Sequence, residues 1–247
     1  MRLLDGAEAI RGDLPSSATR LIDVPLEAGD ELDSGISRLS SLQLVRQRLS
    51  QEIAAAGGPV LTIGGDCGVE WAPISAFAGS DVTLVWFDAH PDLNSPATSP
   101  SAAFHGMVLR TILDEGFDPG RVVLAGARAF DDAEAAYVES AGIVHIPCDR
   151  LTEPAELVKA IEASGGERVY VHIDVDVLDP AFCAALGYPE PFGLDPAALV
   201  SMIGAIRERW PIAGAGLTEF APESVERAAD DLPTILRILS ALTRASG

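Results

Sequence analysis

The stretch Asp81-Val-Thr-Leu-Val-Trp-Phe-Asp88-Ala-His90-Pro-Asp92-Leu-Asn94 decides how the rest of the chain is read. Val82 to Phe87 is a short apolar run rich in β-branched and aromatic residues, which suits a buried strand, and Pro91 cannot extend a ladder beyond it. The strand therefore ends by delivering Asp88, His90 and Asp92. In an extended chain these side chains project to one side, so two carboxylates and an imidazole converge at the C-terminal edge of a sheet. Open α/β sheets bind ligands at that edge. Oxygen ligands with one imidazole favour a hard or borderline divalent ion such as Mn2+, whereas a structural zinc site more often uses several thiolates. Taken alone, the triplet also fits a capped strand end followed by a solvated acidic turn.

The 247 residues, 48% of them hydrophobic, are enough to bury a sizeable core, and neither a linker nor an internal repeat divides them. The expectation is one domain across 1–247. No run of about eighteen apolar residues is present to span a bilayer, and the acids in Met1 to Asp13 are unlike a signal peptide, so a cytoplasmic protein is expected. A net charge of −20 and a pI near 4.4 argue against nucleic acid or an anionic membrane as partner, since either needs clustered Lys and Arg. A small cationic substrate is easier to reconcile with that charge. Cys67, Cys148 and Cys183 are an odd, widely spaced set that suits reduced thiols.

Upstream, Thr19 to Val24 reads as a first strand. Leu42, Val45, Leu49 and Ile53 then repeat at helical spacing until Gly57-Gly58-Pro59 stops the helix. Val60 to Ile63 is a buried strand running into Gly64-Gly65-Asp66-Cys67-Gly68, whose glycines permit positive φ. That turn has neither the dinucleotide fingerprint nor a P-loop lysine, so it is not read as a nucleotide site. A helix is expected near Val69 to Phe77. Downstream of the central strand, a loop through Ser95 to Ser101 leads to His105-Gly106, which opens the next helix.

Arg121 to Ala125 and Ile143 to Ile146 read as strands around a helix through Asp132 to Ser140, and Pro154 begins a further helix. Strands alternating with helices imply a largely parallel sheet covered on both faces. Arg168 to Ile173 then enters Asp174-Val-Asp176-Val-Leu-Asp179-Pro180, a second strand end with paired acids. Clustered like charges at a dry sheet edge call for cations. Asp195 to Trp210 is a helix, Ile212 to Leu217 a strand delivering Thr218-Glu219-Phe-Ala-Pro222, and an amphipathic helix through Leu232 to Leu239 closes the chain.

In this order the motifs resemble the arginase-agmatinase family of ureohydrolases, whose pattern is Gly-Gly-Asp-His, Asp-Ala-His-x-Asp, His-Gly, Asp-x-Asp-x-x-Asp-Pro and Glu-x-x-Pro. They stand here as Gly64 to Cys67, Asp88 to Asp92, His105-Gly106, Asp174 to Pro180 and Glu219 to Pro222. The resemblance implies a three-layer α/β/α fold with a mostly parallel sheet of about eight strands. It implies two Mn2+ ions, Asp88 and Asp174 bridging them, Asp92 on the first, His90 and Asp176 on the second. The chemistry implied is hydrolysis of a guanidino or amidino C–N bond by metal-activated water. Asp92 would orient the water, Glu219 pair with the guanidinium, and His105 move protons to the leaving amine.

The loop from Asp92 resembles the arginase version, in which the equivalents of Asn94 and Ser101 hold an amino-acid carboxylate and that of Asp131 reads the α-amino group. Arginine or a related guanidino acid is therefore the expected substrate, and a homo-oligomer, trimer or hexamer, follows by the same analogy. Three positions depart from the pattern: Cys67 stands where the family has a histidine ligand, so the ion beside it is expected to be weakly held, absent or replaced by a softer metal, Tyr188 stands where arginases carry a threonine, and Ala103 where they carry a polar residue. Other C–N hydrolases on the same scaffold (agmatinase-, formiminoglutamase- or deacetylase-like) and a non-catalytic relative with a weakened metal site stay open as alternatives. Strand alternation puts His172 on the same side as Asp174, about 6.6 Å away along the chain, either as a core histidine, as a partner of the ligands or as a substitute ligand.

Overall fold

The computed structural model describes residues 2–243. Six strands run parallel in the order β1-β6-β5-β2-β3-β4: β1 Leu61–Ile63, β2 Val82–Phe87, β3 Val122–Ala125, β4 Val144–Ile146, β5 Arg168–Asp174 and β6 Ile212–Thr218. Every residue of β2 is buried, as its continuous apolar run requires in a sheet covered on both sides. Val85 and Phe87 point into one core with α1 (Arg2–Gly12), α6 (Ala155–Ser164), α7 (Pro196–Arg209) and α8 (Val225–Thr243). Leu84 and Trp86 point into a second core facing α2 (Leu39–Ala56), α3 (Trp71–Ser75), α4 (Val108–Asp114) and α5 (Asp132–Ala141). Period-2 alternation along one strand thus builds the three layers.

The sheet has six strands among the described residues where about eight were expected. Thr19 to Val24 is one difference: it is an irregular surface segment without a ladder partner, Leu21 and Val24 being 72% and 55% exposed. Arg48 of α2 holds Asp23 at 2.9 Å, and Pro25 withholds a ladder donor, so side-chain ties replace strand pairing. The sequence pattern assigns no element before Thr19, yet Arg2–Gly12 is helical, Ile10 is fully buried, and Arg2 donates to the Leu186 carbonyl at 3.1 Å. None of the described helices is long and apolar enough to cross a membrane.

The strand order fixes where a site can form. From β2 the chain steps outward to β3 and β4, then crosses back so that β5 pairs with the other side of β2. The connections after β2 and β5 leave in opposite directions and open a crevice at the strands' C-terminal ends. Asp88 follows β2 and Asp174 ends β5, so the two acid motifs face each other across this crevice.

Candidate metal centre and active site

Each site side chain is placed by a strand end or by the turn that follows it. The Gly64-Gly65 turn, with φ of 88° and 75°, is stitched to the end of β6: Gly64 N–H donates to Leu217 O at 2.9 Å and Glu219 N–H to Gly65 O at 3.0 Å. Cys67 and Glu219 are thereby brought to the same floor. Asp92 and Glu219 both adopt left-handed backbone, φ 53° and 62°, a conformation that costs a side-chain-bearing residue about 1 kcal/mol. The tight turns after β2 and β6 hold them there.

On one side, His90 Nδ1 lies 3.0 Å from Asp176 Oδ2 and 3.6 Å from Asp88 Oδ1. Backbone donors hold these carboxylates: His90 N–H on Asp88 at 2.6 Å, Ala89 N–H on Asp176 at 3.1 Å, and Asp176 N–H on Asp174 at 2.7 Å. On the other side, Cys67 Sγ lies 3.0 Å from Asp174 Oδ2, 3.5 Å from His172 Nε2 and 3.9 Å from Asp88 Oδ2. Among the described residues the ligand atoms form three groups, Asp88-His90-Asp176, Cys67-Asp174-Glu219 and Cys67-Asp88-His172, each within 4.8 Å.

The electrostatics ask for a cation. Burial first, and then the neighbouring Asp176 and Asp88, push Asp174 well above the ordinary carboxylate range, and burial with Asp88 does the same to Asp92. Burial and Asp66 bring Glu219 to about 8. Burial and Asp174 likewise push the Cys67 thiol up. Burial opposes charge on His90, yet its hydrogen bonds to Asp176 and Asp88 raise it to about 11. Asp92 Oδ2 and Glu219 Oε1 are buried without a hydrogen-bond partner, which is costly unless a cation or ligand meets them. The donor set and these unpaired oxygens fit divalent ions.

These groups open into a cavity of about 140 Å³ lined by Asp92, Asn94, His105, Glu134, Tyr188 and Glu219, among others. His105 Nδ1 lies 3.9 Å from Glu219 Oε1, and the Tyr188 ring stacks on His105 at 5.4 Å. Asn94 is held at both ends, donating to Asp131 at 2.8 Å and accepting from Thr98 at 2.7 Å. Asp131 does not line the cavity; it caps α5 in a reciprocal box with Glu134. Ser101 is exposed in its loop, accepting from Ala103 N–H at 3.2 Å, and neither it nor Ala103 is part of the lining. His145 binds the Ala127 carbonyl at 2.8 Å, away from the acids. A larger open groove of about 740 Å³ along α6 and α7, edged by Lys159, Glu208 and Arg209, contains none of these groups.

Glu134, Glu70 and Arg128 are functional side chains outside the sequence motifs. Glu134 lines the cavity and accepts from Leu93 N–H at 3.1 Å; the Asp131-x-x-Glu134 capping-box spacing was its available signal. Glu70 is fully buried behind His172, and its signal was an acid inside an apolar helical stretch. Arg128 donates to the carbonyls of Asp176 at 2.8 Å, Glu190 at 2.9 Å and Pro191 at 3.0 Å. No local pattern announces that clamp.

Comparison with known proteins places this geometry. The guanidinopropionase of Pseudomonas aeruginosa is 31% identical over 204 residues, covering 79% of this chain and 63% of its own, so the chain spans slightly less than two thirds of that relative. The N(omega)-hydroxy-L-arginine amidinohydrolase of Streptomyces lavendulae is 31% identical over 81% of this chain and 74% of its own. Among solved structures, arginase of Entamoeba histolytica in complex with L-ornithine superposes with a TM-score of 0.84, covering 98% of this chain and 92% of that one at 20% identity, a likeness of fold. The sequence pattern of the Arginase family matches residues 9–235, and it is to the arginase family that the chain belongs.

Proposed function

We propose that this protein hydrolyses the guanidino C–N bond of arginine or a related guanidino acid, giving urea and an amine, with Mn2+ as its divalent ion at the Asp88-His90-Asp176 group. The observation that carries the reading is the cavity in which the unpaired oxygens of Asp92 and Glu219 stand beside His105 and the clustered acids. The named activities of the relatives, guanidinopropionase and hydroxyarginine amidinohydrolase among them, support it. When bound, divalent ions supply charge that offsets the acids and lowers the pKa of water toward neutrality.

The chain's own residues do the rest. Glu219 receives the guanidinium in a charge-assisted pair, Asp92 orients the attacking water by accepting its hydrogen bond, and His105 carries a proton to the departing amine. The Tyr188 ring, stacked on His105, restricts that imidazole and forms part of the wall. Asn94, fixed by Asp131 and Thr98, lines the cavity and offers its remaining amide hydrogen to the substrate carboxylate, with Asp131 acting through Asn94. A site that hydrogen-bonds a group discriminates strongly against analogues lacking it.

The test is a substrate panel at saturating Mn2+, read by urea release, with formamide and acetate release measured alongside. Arginine-like acids are expected to exceed agmatine in kcat/KM. Equal or better turnover of agmatine removes the carboxylate reading, and formamide or acetate as the sole product removes the guanidino one. The protein is proposed to work in the cytoplasm as a homo-oligomer without nucleic-acid or membrane partners.

A further inference from the structure

Cys67 has its own histidine. His172 Nε2 lies 3.5 Å from Cys67 Sγ and 3.8 Å from Asp88 Oδ2, and Cys67 Sγ lies 3.9 Å from Asp88 Oδ2. All three residues are 1% exposed or less. For tetrahedral bond lengths of about 2.3 Å to sulfur and 2.0–2.2 Å to nitrogen and oxygen, ligand atoms should be roughly 3.4–3.6 Å apart. The right angles of an octahedron with the same bonds would bring sulfur and nitrogen to roughly 3.1 Å. The sulfur–nitrogen distance of 3.5 Å falls in the tetrahedral range, and the two distances to Asp88 Oδ2, 3.8 and 3.9 Å, lie above it and farther still from the octahedral one.

The imidazole is also built in from behind. Its Nδ1 faces Glu70 Oε1 at 3.9 Å, and both atoms are buried without a hydrogen-bond partner. Glu70 is itself held by Tyr170 Oη at 2.6 Å, and the Trp86 ring stacks on His172 with centroids 3.5 Å apart. In the sheet register His172 stands beside Gly216, where any side chain would drive its Cβ into the Glu70 carboxylate. A carboxylate facing the far nitrogen of a histidine orients the near nitrogen toward a metal. Thiolate and imidazole together select borderline ions over Mn2+.

From this we infer that Cys67, His172 and Asp88 form a metal position for a borderline, tetrahedrally inclined ion such as Zn2+, with Glu70 as the positioning residue of His172. The centre is then of mixed character: an oxygen-rich side at Asp88-His90-Asp176 and a sulfur-nitrogen side at Cys67-Asp88-His172. The inference deepens the proposed function at the same site and rests on its reading as a metal centre, but not on the substrate.

The experiment uses the full chain with Cys148→Ser and Cys183→Ser, which leaves Cys67 as its only thiol. The metal-free protein is titrated with Co2+ and followed for the near-ultraviolet thiolate-to-cobalt charge-transfer band, and Zn2+ and Mn2+ affinities are measured by competition with a chelator. The expected result is a band at one equivalent of Co2+, Zn2+ bound more tightly than Mn2+, and a roughly 10–100-fold loss of Zn2+ affinity in Glu70→Gln with the Mn2+ affinity little changed. His172→Gln should lose more. X-ray absorption of the zinc-loaded parent protein keeps the test independent of whether buried variants fold, and should show one sulfur with imidazole scattering. Oxygen-only zinc neighbours, or Co2+ bound without the charge-transfer band, overturn the inference. Either result leaves urea release untouched, whereas a sulfur-ligated ion without urea release would count against the proposed function alone.

Discussion

Asp88 and Asp174 face one another across the crevice, Asp88 belonging to a ligand group on each side of the centre and Asp174 to the group with Cys67 and Glu219. Replacing either by Asn removes a charge without changing shape, so the fold should survive while metal is lost. Asp88→Asn and Asp174→Asn are expected to lower metal affinity by more than the roughly 10–100-fold typical of residues behind the ligands, with metal content and hydrolysis falling in step. Metal analysis beside circular dichroism checks this, and a variant with full metal and full activity contradicts the assignment. These two acids were legible in the sequence because strand alternation and a following proline say where a side chain must point. Glu70 was not legible: its meaning lies in His172, 102 positions later, and in a glycine on the neighbouring strand.

The segment between Asp179 and Gly193 is a loop closed at its neck, where Gly193 N–H donates to Asp179 at 3.0 Å and Asp179 N–H to Leu194 O at 3.0 Å. It carries Tyr188 to the cavity, and the Arg128 guanidinium pins both of its flanks through backbone carbonyls. Arg128→Met should cost about 2–3 kcal/mol, because several carbonyls lose a charged donor at once. Protease cleavage inside 180–192 should accelerate, and KM should rise more than kcat falls. Unchanged proteolysis would show that the loop stands without the clamp. The same scale explains what the sequence hid. Strands delivering chemistry, such as Val82 to Phe87 and Arg168 to Ile173, are rich in β-branched and aromatic residues and buried almost throughout, whereas Thr19 to Val24 has strand-like residues but lies exposed on the surface, outside the sheet. The N-terminal helix has a faint sequence signature because its buried stripe is narrow, reaching only Gly6 and Ile10.

Taken as a whole, the molecule holds protons in its metal-free state that an unfolded chain would release. Glu219 keeps its proton to about 8 against an ordinary 4.5, and Asp92 and Asp174 are shifted in the same direction. Between about pH 4 and 8 the folded state therefore binds more protons, so stability falls as pH rises. His90, raised from 6.5 to about 11, adds stability that is complete below its unfolded value and lost toward the upper one. Asp88, lowered from 3.8 to about 2 because His172 and His90 outweigh its burial, acts oppositely, its contribution being lost as pH falls through that range. With chelator present, the melting temperature should thus decline from about pH 5 to 8, and saturating divalent cation should flatten or reverse the trend. A rise under chelation would contradict the shifts. The crossover between β2 and β5 has a mechanical side as well. Both ligand triplets that include Asp88 join residues after β2 to residues on or after β5, so a bound ion rivets the sheet along the one seam where its winding reverses. Deuterium uptake should accordingly slow most at the paired amides of Val82 to Phe87 and Arg168 to Ile173 when metal is added, leaving the outer β3–β4 edge to breathe as before.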